Sequence, residues 1–130
     1  MTKPDYVAYW KQSAEQDWEI IEPVFEKKGY IQSLFFAHLV LEKLLKAHWV
    51  KDNVGDHPPR IHNLESIAIR TNLNLTVDQM SFLAKMNLFQ MEGRYPDYQN
   101  NIHKLCTEIF TSELLDEVND IRICLLKNLP

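Results

Sequence analysis

Apolar residues recur every three or four positions along most of this chain, and the rhythm breaks where glycine, proline or a capping residue stands. In the first segment, Tyr6, Trp10, Ala14, Trp18, Ile21 and Phe25 mark one face of a helix running from Asp5 to Lys28. Asp5 is read as its N-cap, and Lys27, Lys28 and Gly29 supply the cations and the glycine that suit a helix end. Pro23 predicts a kink at residues 19–22, because its ring clashes one turn back and it offers no N–H.

A second stripe follows at once. Tyr30, Ile31, Leu34, Phe35, His38, Leu41, Leu45 and Trp49 predict a helix over residues 30–51, and so short a connection makes the first two helices antiparallel neighbours. Residues 53–63 (NVGDHPPRIHN) hold two prolines and a glycine and form the longest predicted loop, the place where function concentrates. A short helix is predicted over 63–71, with Leu64, Ile67 and Ala68 inward. Thr76 with Gln79 reads as a capping box opening a fourth helix, whose inward positions are Met80, Leu83, Ala84, Asn87 and Met91 and which Gly93 closes. After Arg94, Tyr95, Pro96, Asp97 and Tyr98 break the pattern, Asn100 or Asn101 caps a final stretch that carries Leu114, Leu115, Val118, Ile121, Leu125 and Leu129, with a second N-cap expected at Thr111 and Ser112.

No segment alternates with a period of two. The chain is therefore expected to be all-α, a single domain over residues 1–130, folded as an antiparallel up-and-down bundle of four to five helices. At this length roughly two-thirds of the unfolded surface is buried on folding, enough for one core.

Charge narrows the function classes. A net charge of −4 and a pI near 5.7 argue against a non-specific nucleic-acid coat, and no DNA partner is expected. No apolar run reaches the ~18 residues that span a bilayer, and residues 1–10 lack a basic then apolar leader; a cytoplasmic protein without a membrane partner is the expectation. Cys106 and Cys124 fall on apolar phases and are read as small core residues, with no spacing suited to a metal. The familiar phosphate-loop, dinucleotide, nucleophile-elbow and zinc-protease motifs are absent.

Three groupings carry candidate chemistry. His38, Glu42 and Lys46 follow one ridge of the second helix at intervals of four, His38 and Glu42 either forming an acid–base pair or gripping a metal, or His38 being a satisfied interior histidine with Glu42 and Lys46 a surface ion pair. His57, Arg60 and His62 sit on a proline-stiffened loop and either receive phosphate or, for His62, cap the next helix. Arg94, Tyr95, Pro96 and Asp97 follow the fourth helix, either ending it electrostatically, with Asp97 holding Arg94, or meeting a ligand or partner.

With YWKQSAEQDW at 9–18, GYIQSLFFAHLVLEKLLKAHW at 29–49, PPRIHNLESI at 58–67 and NLFQMEGRYPDY at 87–98, the chain resembles the HEPN family, the higher eukaryotes and prokaryotes nucleotide-binding domain. That resemblance implies a helical bundle, commonly dimeric, acting on nucleotides or RNA, often beside a minimal nucleotidyltransferase in toxin–antitoxin pairs. Ribonuclease members of the family carry Arg, four to six residues, then His. Here Arg94 and His103 are separated by eight residues, Pro96 among them. The expectation is accordingly a non-catalytic module binding a nucleotide or a partner protein through Arg94, Tyr95, Asp97, Lys46 and His62, needing no cofactor. The alternatives are a metal-independent ribonuclease, with Arg94, His103 and His38 as its weak candidates, and a purely structural interaction module. A homodimer is expected because Tyr30, Phe35, Phe36, Trp49, Phe89 and Phe110 surround more of the helices than one core stripe needs.

Overall fold

The computed structural model describes residues 1–95 and 98–130. Among them the chain forms six helices and no strand: α1 (Lys3–Glu26), α2 (Tyr30–Asp52), α3 (Leu64–Ala68), α4 (Val77–Arg94), α5 (Asn101–Leu105) and α6 (Glu108–Lys127). The four long helices make the bundle, and α3 and α5 are short turns in the connections.

Local chemistry sets the ends. Thr2, not Asp5, is the N-cap of α1: its hydroxyl accepts the Asp5 N–H, and the Asp5 carboxylate accepts the Thr2 N–H at 2.8 Å. Those bonds from Thr2, its backbone N–H first, hold the Asp5 carboxyl below its ordinary range. α1 continues through Pro23 to Glu26. The left-handed residue after it is Lys28, with φ 64°, whereas Gly29 is the N-cap of α2. Glycine is needed there for close approach, since a Cβ would stand 2.9 Å from Val24 Cγ1 and 3.2 Å from the Val24 carbonyl oxygen. The capping box of Thr76 and Gln79 forms as expected. Gly93 lies within α4, which ends one residue later at Arg94. The final stretch breaks at Thr107, whose hydroxyl accepts the Phe110 N–H, four residues before the expected second cap; Thr111 is a buried residue inside α6.

Side-chain pairs fix the topology. Asp17 meets Lys43 and Phe25 meets Tyr30, so α1 and α2 run antiparallel. Arg94 lies over Phe35, at the start of α2, so the last turn of α4 returns to where α2 begins. Glu15 pairs with Arg122, and His48 bonds the Leu125 carbonyl, so α6 runs with α2 and against α1. The order is up, down, up, down.

α2 is the central helix. It packs against α1, α3, α4 and α6, and on it only Gln32 and Lys51 are exposed. Ser33, Ala37, Val40, Leu44, Ala47, His48 and Val50 are buried as well as the predicted stripe, because neighbours cover every side. In α4 the buried residues are Phe82, Leu83, Met86 and Phe89, while Ala84 and Met91 face solvent, which rotates the inward face from the one expected. Phe89 is a core residue, and Tyr30, Phe35, Phe36, Trp49 and Phe110 are half-buried. Cys106 is buried, and the apolar surroundings push its thiol pKa up; Cys124 is half-buried, and both are free.

Candidate functional site

The second helix carries a charged cluster inside the protein. Glu42 and Lys46 are only 5% and 6% exposed, so the pair is not the surface ion pair that the i, i+4 spacing alone suggested. Lys46 Nζ donates to Glu42 Oε2 at 3.0 Å and stands 5.5 Å from the centre of the Trp10 ring on α1. The second oxygen of Glu42, Oε1, accepts from His62 Nδ1 at 3.0 Å. Desolvating two charges is costly, and their attraction repays it only when the remaining lone pairs and protons are satisfied. Here one carboxylate serves a lysine and a histidine at once.

His38 lies beneath this group, fully buried, with Nδ1 3.9 Å from the same Oε1. Neither ring nitrogen has a hydrogen-bond partner in good geometry, although Asn87 and the His62 backbone lie near enough to favour its proton. Burial dominates and lowers its pKa from 6.5 to about 4 against the opposing pull of Glu42. The ring is therefore a neutral imidazole at neutral pH. It is an interior histidine as one sequence reading had it, but not a satisfied one.

His62 reaches Glu42 because the loop before it is pinned at both ends. Lys3, on the first turn of α1, donates to the carbonyls of Val50, Asn53 and Gly55 at 2.8 to 3.0 Å and pairs with Asp56 at 3.2 Å. The His57 ring meets Tyr6 edge-on at 5.3 Å. At the far end Asn63, not His62, caps α3, accepting the Ser66 N–H, and the Leu64 N–H donates to Asn87 on α4. His62 is thereby freed from capping. Its side chain is 48% exposed, with Nδ1 engaged and Nε2 left over.

The remaining candidates lie elsewhere. Arg94, exposed at the end of α4, stacks its guanidinium 5.4 Å from the Phe35 ring centre. Phe35, His38, Glu42 and Lys46 form one stripe of α2, so Arg94 marks one end and Lys46 the other, about 16 Å apart along the axis. Tyr95 is the C-cap of α4 and 71% exposed. His103 is exposed on α5. Asp97, with Pro96, lies outside the described residues. Sequence reasoning missed Lys3 and Trp10 as supports of the site. Asn87 carried a signal, an amide on an inward phase of α4. Among the described residues no group of three His, Cys, Asp or Glu is arranged to hold a metal ion, and no helix is long and apolar enough to cross a membrane.

A four-helix up-and-down bundle whose apolar core admits a buried His, Glu and Lys ridge on its central helix places the chain in the all-α class. The family model for the HEPN domain matches residues 7–128, nearly the whole chain, and the protein belongs to that family. No curated protein and no solved structure matches the chain.

Proposed function

We propose that this chain is a non-catalytic HEPN module that binds a nucleotide at the surface between exposed Arg94 and half-exposed His62, above the buried stripe of α2. The observation that carries the reading is His62, held by Glu42 at Nδ1 and half open to solvent, with exposed Arg94 over Phe35 on the same stripe of α2. Arg94 offers a planar fork for phosphate oxygens and Tyr95 an exposed ring for a base, with Asp97 next to it in sequence, while Lys46 acts from beneath by holding the Glu42 carboxylate that orients His62. The family resemblance supports a homodimer and a minimal nucleotidyltransferase partner of the toxin–antitoxin type, which co-purification of the two gene products tests.

Calorimetric titration with ATP and a thermal shift at millimolar ligand test the binding. Wild type is expected to release or absorb heat and to melt higher with ligand. Arg94→Ala is expected to lose both responses and to melt within a few degrees of wild type without ligand, since Arg94 is exposed. An unresponsive wild type refutes the reading.

One observation favours a second reading. A carboxylate on Nδ1 leaves Nε2 of His62 as the proton-accepting nitrogen, the arrangement of an oriented general base. A ribonuclease built on His62 cleaves single-stranded RNA without metal and loses that activity in His62→Ala.

A further inference from the structure

α1 and α6 both pack on α2 and lie side by side along one flank of it. A clasp joins them where the Arg122 guanidinium meets both carboxylate oxygens of Glu15, and toward the start of α1 Lys11 also donates to the Pro130 carbonyl just past α6. Beyond the clasp the two helices leave a groove of about 700 Å³. Its length along α1, from Trp18 to Phe25, is two helical turns, about 10 Å.

The lining is of two kinds. Trp18, Ile21, Phe25 and Leu115 supply an apolar floor. Glu19 and Glu22 on α1 and Asp116 on α6 supply the edges, and none of the three has an ion-pair partner among the described residues. Three unpaired carboxylates around an aromatic floor repel anions and attract cations.

The protein itself shows what this chemistry holds. At the clasped end Arg122 lies 4.7 Å from the centre of the Trp18 ring, its Nη1 donates to Asn119 at 2.9 Å, and both Trp18 and Asn119 also line the groove. An aromatic face, a carboxylate and an amide together seat a guanidinium there. Phe25, Glu19, Glu22 and Asp116 offer a ring and carboxylates again further along, without a cation of the chain's own.

We propose that the α1–α6 groove receives a short, basic amphipathic helix of a partner protein. Its apolar face lies on Trp18, Phe25 and Leu115, and its lysines or arginines reach Glu19, Glu22 and Asp116. An apolar trough between two neighbouring helices accepts a third helix by the usual helix-in-groove packing, and charge sets which helix enters.

The test uses a synthetic helical peptide with leucines on one face flanked by lysines, its counterpart with glutamate for every lysine, and the full chain. Binding is read from Trp fluorescence and from peptide anisotropy. The lysine peptide is expected to bind at least about tenfold tighter than the glutamate peptide, and Glu19→Lys with Asp116→Lys is expected to reverse that order. Both substituted residues are exposed, so the melting temperature stays near wild type, and any nucleotide response persists because Arg94, Lys46 and His62 are untouched. The proposal is overturned if the two peptides bind alike, or if the double variant binds as wild type does. It is equally overturned if spermidine displaces the peptide at the peptide's own concentration, which makes the groove a small-cation site, or if the double variant abolishes self-association, which makes the occupant a second copy.

Discussion

His38 and His62 approach the same oxygen of one carboxylate: His62 Nδ1 stands 3.0 Å from Glu42 Oε1, and His38 Nδ1 stands 3.9 Å from it. His62, half exposed, makes the hydrogen bond. His38, fully buried, is held neutral beside it.

That neutrality makes stability depend on pH. Below about pH 6.5 the unfolded chain takes a proton at His38 that the folded chain, with its pKa near 4, does not, so stability falls as pH drops through this window. Between about pH 7.5 and about pH 5 the loss is roughly 2 kcal/mol from this residue. Burial also lowers the pKa of His48, whose Nδ1 has no partner, so His48 adds in the same sense. The groups that face His38 are Glu42 on its own helix, His62 before α3 and Asn87 on α4. Urea titrations at the two pH values are expected to show the loss in wild type and a smaller one in His38→Phe.

Removing one partner of the buried pair leaves the other charge without compensation. Glu42→Met is expected to destabilise by roughly 3 to 5 kcal/mol, and Glu42→Met with Lys46→Met to recover most of that. A double-mutant cycle read by chemical denaturation measures the coupling. Equal losses in the single and double variants mean that the pair contributes through packing alone.

Leu41 and Leu83 are completely buried, on α2 and α4 respectively. Replacing either by alanine is expected to cost roughly 2 to 5 kcal/mol, seen as a lower denaturant midpoint with an unchanged slope. A loss below about 1 kcal/mol at either site indicates a core that collapses around the missing atoms.

Leu88 and Met91, exposed apolar residues on α4, stand at i and i+3 with the exposed C-cap Tyr95 at i+7, and so offer one apolar face to a second copy. Sedimentation at tens of micromolar is expected to give about 31 kDa, twice the 15.4 kDa of the chain. Met91→Lys shifts the distribution toward monomer if α4 is the interface. A strictly monomeric wild type disproves the dimer.

The helices were legible because each has its own apolar rhythm, and the short link at Gly29 dictated the first hairpin. Their phases were less so. Leu83 and Asn87 belong to either of two adjoining faces of α4, and only the packing of Phe82, Met86 and Phe89 against α2 decides between them. Caps were ambiguous for a similar reason: Thr2 and Asp5 are both good capping residues, as are Thr107 and Thr111, and the sequence alone does not rank them. The ridge of His38, Glu42 and Lys46 was visible from its spacing. Its burial was not, since spacing does not reveal that α1, α4 and the loop before α3 close over it. The bond from His62 to Glu42, made across twenty residues, had no local signal at all.

Lys3 is a splint. One ammonium group gathers three carbonyl oxygens from the end of α2 and the segment after it, so an amino-terminal side chain sets the posture of a loop some fifty residues downstream. Acetylation of that single amine removes its charge, and with it the salt bridge to Asp56 and the fan of bonds to the carbonyls. The segment that leads toward His62 then loses its tie to α1, although no residue that touches His62 has changed.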